Sequence, residues 1–145
     1  MDADGSVNSP DDLAELYRNR FDEAEVASKR VLWGALCSGF FQAYVPEEGS
    51  VVDLGAGNCE FTNAIRASRR IAVDLNPETK SFADAGVTVL ETSSTDLSAL
   101  EDASIDPVFT SNFFEHLPSK TMLLDTLQAA PGVADLRPAD ARRGE

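Results

Sequence analysis

The spacing of hydrophobic positions along this chain changes near residue 50. Before it, apolar residues recur three and four apart, the period of a helix. "SPDD" has a helix-start pattern, with Ser9 as N-cap, Pro10 at the first helical position and Asp12 three residues after the cap. Leu13, Leu16, Tyr17 and Phe21 follow at helical spacing. "DEAE" at 22–25 then opens a longer helix, expected to run to about Tyr44. Leu32, Leu36, Phe40 and Ala43 form one apolar stripe on it, and Trp33, Cys37, Phe41 and Tyr44 a second. Two stripes predict burial on two sides, one against a sheet and one over a ligand or a neighbouring helix. "PEEGS" is the turn that ends the segment.

From Ser50 onward, short β-branched runs alternate with helical ones. "SVVDL", "IAVDL", "VTVLE" and "DPVFTSN" read as four strands in succession. "EFTNAIRAS" reads as a helix with Phe61 and Ile65 inward. Asn76 caps and Pro77 starts a short helix that Gly86 terminates. "TDLSAL" is a turn or short helix, and "SKTMLLDTLQAA" is a helix capped by Ser119. The alternation predicts right-handed βαβ units: an α/β fold with a Rossmann-like parallel sheet and helices on both faces. The expected organisation is a disordered tail over 1–8, a helical segment over 9–45 packed on the domain, the domain itself over 46–130, and an irregular tail over 131–145 carrying Pro131 and Pro138.

Composition narrows the partners. The chain has 145 residues, room for one core, and a formal charge of −13. Such a surface repels phosphate backbones and anionic lipid, so neither nucleic acid nor membrane is the expected partner. No apolar run reaches the roughly 20 residues of a membrane span. Cys37 and Cys59 form no CxxC pair and no disulfide framework, which fits a reducing cytoplasm. No metal site stands out among so few ligating residues.

The chemistry is expected in "VVDLGAGNCEF", residues 51–61. In an open α/β sheet the ligand lies past the carboxyl ends of the strands, where strand order reverses. Gly55 and Gly57 permit backbone turns and close approaches that a Cβ forbids. The dinucleotide fingerprint asks for a third glycine where Glu60 stands, and places a pyrophosphate beside Asp53 and Glu60. Those carboxylates repel phosphate and attract an ammonium or a sulfonium. Asp74, ending the second strand, suits ribose hydroxyls in either kind of nucleotide. Asp96, after the third, suits an adenine amino group. Strand-end acids after three successive strands suggest an adenosine cradle.

Four motifs in order now resemble the class I S-adenosylmethionine-dependent methyltransferases, from about Leu13 to Gln128: "VVDLGAG", "IAVDLNP", "TSSTDLSAL" and "DPVFTSNFFEHL". The resemblance implies that Asp53, Gly55 and Gly57 hold the methionine end, with Ala56 between them. It implies Asp74 at the ribose, Leu75 against the adenine beside Asn76, and Asp96 at the amino group, flanked by Thr95 and Leu97. Asn112 and Phe113 would line the methyl-transfer mouth, and His116 is the candidate catalytic residue on the substrate side. The implied acceptor is a small molecule.

Two residues depart from the family pattern. Cys59 stands where a third glycine is common, which the loop tolerates if a helix has begun there. Pro107 stands in the fourth strand, where it is expected at the strand start.

The implied sheet is incomplete, with strand order 3-2-1-4 and no further strands. One expectation is a frame change in the gene: read one base later, "APGVA" can encode Arg-Arg-Val-Leu, as the family would continue. The open edge of strand four is expected to pair with another chain, making a homo-oligomer across Val108 to Thr110. Three functions follow: a methyltransferase, a shortened and inactive chain that binds ligand or self-associates, and, more distantly, an NAD-dependent oxidoreductase.

Overall fold

The computed structural model describes residues 23–100, 105 and 107–130. The expected tails over 1–8 and 131–145 and the helix around Leu13 lie outside these residues. Four parallel strands make one sheet in the order β3-β2-β1-β4. They are β1 Ser50–Leu54, β2 Arg69–Asp74, β3 Val87–Glu91 and β4 Val108–Thr110. β1 lies second from one edge, with Asp53 opposite Ala72 on one side and Phe109 on the other. The limits of β1 and β3 are those expected from the sequence. β4 is shorter than "DPVFTSN" at both ends: Pro107 has no N–H to give at its start, though its carbonyl accepts from Val52 N at 3.3 Å, and Asn112 turns left-handed after its end.

A parallel strand is covered on both faces, and successive residues point to opposite ones. Val52 and Leu54 face Ile71, Val73, Leu97, Leu100 and Ile105, with Ala129 packed against them. Ala129 ends helix α4, Lys120–Ala129, whose first turn is capped as expected by Ser119 Oγ accepting from Met122 N. Ser94 and Thr126 exchange a buried hydroxyl hydrogen bond of 2.8 Å, tying α4 to the loop after β3.

The opposite face is aromatic. Val51, Phe61 and Ile65 pack with Cys37, Trp33, Phe41 and Phe109. Phe61 stacks on Phe109 at 3.6 Å and 10°, and Trp33 meets the edge of both rings. Phe61 belongs to α2, Glu60–Ala64, and Trp33 and Cys37 to α1, Glu23–Gly39. α2 is five residues long, shorter than "EFTNAIRAS" suggested, because Ile65 turns extended to bury its side chain. Arg70 steadies its end: Nη1 donates to the carbonyls of Thr62 and Asn63.

α1 also departs from expectation. It ends at Gly39, and Phe41–Ala43 form a separate 3₁₀ turn. Ser38 Oγ donates back to the Gly34 carbonyl at 2.8 Å, a bond that loosens a last turn. Among the described residues only one stripe is covered. Trp33, Cys37 and Phe41 face the sheet, whereas Leu32, Leu36, Phe40 and Ala43 are exposed, with Tyr44 beside them. Val31, 75% exposed, adds to the uncovered side. The third helix, α3, spans Thr79–Phe82 and not Pro77 to Gly86. Asn76 Oδ1 accepts from Glu78 N, so it closes a turn ahead of the helix. Gly86, at φ +89°, serves the turn into β3.

Truncating the aromatic stack should test this packing. Phe61→Ala is expected to lower unfolding stability by about 3–5 kcal/mol. Leu32→Ser, on the exposed stripe, should change it by no more than about 0.5 kcal/mol. Urea denaturation of the two variants measures the contrast.

Candidate functional site

The loop between β1 and α2 turns through three left-handed residues: Gly55 at φ +71°, Gly57 at φ +51° and Cys59 at φ +61°. The condition under which Cys59 would be tolerated, an already started helix, is not met. Cys59 is left-handed at ψ +24° and α2 starts one residue later. A side chain there costs about 1–2 kcal/mol relative to glycine's freedom. Burial offsets part of this, since the thiol packs with Ala56 and Ala72 and donates to the Thr79 carbonyl at 3.8 Å. Burial, then the Asp53 charge, pushes that thiol up to about 11, so it stays neutral.

Four of the loop's N–H groups, those of Gly55, Ala56, Gly57 and Cys59, are already engaged. Gly55 N and Ala56 N both donate to the Val73 carbonyl, at 2.9 and 3.2 Å, and Cys59 N donates to Ala56 at 2.8 Å. Gly57 N donates to Asp74 Oδ2 at 2.8 Å. The other oxygen of Asp74 accepts from Asn76 N at 2.8 Å. A carboxylate, at the mouth of the loop, therefore stands where a pyrophosphate-binding loop offers free donors. Each Asp74 oxygen keeps a further lone pair for a ligand. Leu75, 65% exposed, follows as an apolar surface next to it.

Asp53 lies behind the loop, 4% exposed. Its Oδ2 accepts from Thr62 Oγ1 at 2.7 Å. Burial pushes its carboxyl from 3.8 up to about 7, against the Thr62 hydrogen bond, with Glu60 and Asp74 adding repulsion. Asp96 is the reverse case. It is exposed, and its Oδ1 accepts from the Ser98 hydroxyl at 2.6 Å and the Ser98 N–H at 3.3 Å. Those bonds, hydroxyl first, lower its pKa. Beside it, Thr95 Oγ1 shares a 2.8 Å bond with Ser93 Oγ, and Leu97 is buried in the core.

After β4, Asn112 is left-handed at φ +51°. The turn brings the Phe113 ring onto Gly55, where an added Cβ would meet ring carbon Cγ at 2.6 Å. A Cβ at Gly57 would meet nothing within 4 Å. Gly55 is thus excluded from substitution by shape and by backbone, Gly57 by backbone alone. His116 ends the exposed 3₁₀ turn Phe114–His116, its N–H bonded to the Phe113 carbonyl.

The structure thus gathers Asp53, the glycine loop, Asp74, Leu75, Asn76 and Phe113 around the end of β1. Asp96 bonds within its own turn after β3. Thr62 is the participant that sequence reading missed. Its signal was faint: a polar residue directly after inward Phe61, on a face that then includes Ile65.

A parallel sheet of order 3-2-1-4 flanked by helices resembles a Rossmann-like methyltransferase fold. The chain belongs to the methyltransferase-domain family, which it matches over residues 52–129, more than half its length. Among solved structures it is similar to a SAM dependent methyltransferase from Archaeoglobus fulgidus, at 24% identity and a TM-score of 0.58. That likeness covers 80% of this chain and 51% of the other, so this chain spans about half its length. No match is found among curated proteins.

Two measurements check the loop. At position 59, glycine should be more stable than alanine by about 1 kcal/mol, the reverse of the usual order; thermal melts of Cys59→Gly and Cys59→Ala compare them. The second concerns Asp53. Between pH 3.8 and about 7 the folded chain holds a proton that the unfolded chain has lost. Its stabilising contribution is complete below 3.8 and lost as pH rises through 7. Asp53→Asn should remove that decline from a plot of Tm against pH.

Proposed function

We propose that the chain binds S-adenosyl-L-methionine and serves methyl transfer to a small-molecule acceptor. The observation that carries this is the Gly57 N–H donating to the Asp74 carboxylate at 2.8 Å, in a loop where the N–H groups of Gly55, Ala56 and Cys59 are also engaged. Such a loop suits a cofactor that brings positive charge and no phosphate, which weighs against NAD. The residues fit the group: Gly57 allows close approach, since a Cβ there would meet nothing within 4 Å, and Asp53 and Asp74 supply carboxylates.

When bound, this cofactor supplies a methyl group already activated on a cationic sulfur. Asp74 would hold the ribose hydroxyls with its remaining lone pairs, between Gly57 and Asn76. Leu75 would lie along the adenine. Asp96, with Thr95 and Leu97 beside it, would accept from the adenine amino group through Oδ2. Asp53 would face the methionine ammonium. Phe113 and Asn112 would close the mouth against water, which leaves alignment as the protein's main contribution. His116 would take a proton from an acceptor that arrives protonated.

The acidic surface favours a small neutral or cationic acceptor over nucleic acid. Among the described residues no helix is long and apolar enough to cross a membrane, and both described cysteines are free thiols. The reading places the protein in the cytoplasm. It also includes self-association: among the described residues β4 pairs with β1 alone, and exposed Phe40 touches Phe41, which packs on Phe109 of β4. A second copy pairing along this edge should sediment as a dimer. A monomer with exchange-protected β4 amides would argue against it.

Calorimetry with S-adenosylhomocysteine tests the main reading. Binding is expected, with Asp74→Ala weakening it by roughly 10- to 100-fold, and no heat with NAD. Binding with no transfer to any acceptor would favour the inactive-chain reading. NAD binding without S-adenosylhomocysteine binding would overturn both.

A further inference from the structure

Thr62 belongs to none of the cofactor motifs, yet it is wholly buried and aimed at one of their acids. A helical threonine commonly bonds a carbonyl one turn back in its own helix. Thr62 instead reaches across to β1 and donates to Asp53 Oδ2 at 2.7 Å. Its own carbonyl accepts from Arg70 Nη1 at 3.1 Å, so the segment carrying the hydroxyl is pinned to β2.

The surroundings of Asp53 give that hydrogen bond a particular weight. Glu60 at the start of α2 and Asp74 at the end of β2 both repel a negative charge on it. Cys37 on α1 and Cys59 in the loop are neutral thiols, each raised first by burial and then by the Asp53 charge. From β4 the neighbour in register is Phe109, which is apolar. Thr62 is the group in this set that favours the ionised carboxylate, because a donor bonds the anion more strongly than the acid.

We infer that Thr62 is a positioning residue: its hydroxyl holds the Asp53 carboxylate, as an anion and in one rotamer, for the ammonium end of the bound cofactor. This rests on the cofactor reading above. It adds a proton linkage to it, because an ammonium needs the ionised form and so competes with the proton on Asp53. Thr62 sets the pH at which that competition is won.

The test is calorimetric titration of the full chain with S-adenosylhomocysteine between pH 5.5 and 8.5. In the wild type, affinity should rise with pH and level off near 7, where Asp53 ionises. Thr62→Val keeps the shape and removes the donor. Its levelling point should move up by about one pH unit, with affinity at pH 7 down roughly fivefold. Thr62→Ser should restore the wild-type profile, and Thr62→Ala should repeat the valine result. Loss of affinity by one factor at every pH, with the levelling point unmoved, would overturn the inference. Without ligand, the pH at which Tm stops falling should also move up in Thr62→Val. That second shift separates the two ideas. If it occurs and S-adenosylhomocysteine binds at no pH, the cofactor reading fails while the hydrogen bond keeps its effect on Asp53. If it does not occur, the Thr62 role fails whether or not the ligand binds.

Discussion

A strand covered on both faces has to satisfy its polar groups from inside the protein, and β1 meets this demand while carrying a carboxylate. Everything around it is arranged to the same end. Val52 and Leu54 turn into the aliphatic layer under α4. Val51 and Asp53 turn to the side of α1 and α2. The acid is tolerated there because a hydroxyl from α2 reaches it. The loop departs from the end of β1 and is tied to β2, with the N–H groups of Gly55 and Ala56 on Val73 and that of Gly57 on Asp74. The strand that centres the core and the acid that readies the site are one element.

Much of the sheet could be read from residue order. β1 and β3 have the expected limits because β-branched runs bounded by turn residues leave little room for another reading. The helix ends were less legible. "EFTNAIRAS" has helical spacing throughout, but burying Ile65 required the chain to turn extended there. α1 shows a different limit. Its two apolar stripes were plain in the sequence, yet periodicity records what a face is made of and not what stands opposite it. One stripe found the aromatic cluster; among the described residues the other has nothing opposite it.

The site divides in the same way. Asp53, Gly55, Gly57 and Asp74 occupy strand ends, and a strand's end is a place the sequence marks. Phe113 reaches Gly55 through a left-handed Asn112, a geometry that spacing alone does not give. Thr62 was hidden because its partner lies nine residues earlier on another element. Cys59 was flagged for the right position, but its backbone is the opposite of the helical one that would have excused it.

The five residues of α2 are too few to hold a helix by themselves. They stay helical because Phe61 is stacked on β4, Thr62 is bonded to β1, and Arg70 of β2 grips the last carbonyls. Three strands therefore own one short helix. Such a piece does not fray independently; its amides open only when the sheet opens, as part of one cooperative unit. The glycine loop, anchored to that helix at one end and to β1 at the other, inherits the same stiffness. On the proposed reading, a ligand arriving there would meet a wall already set.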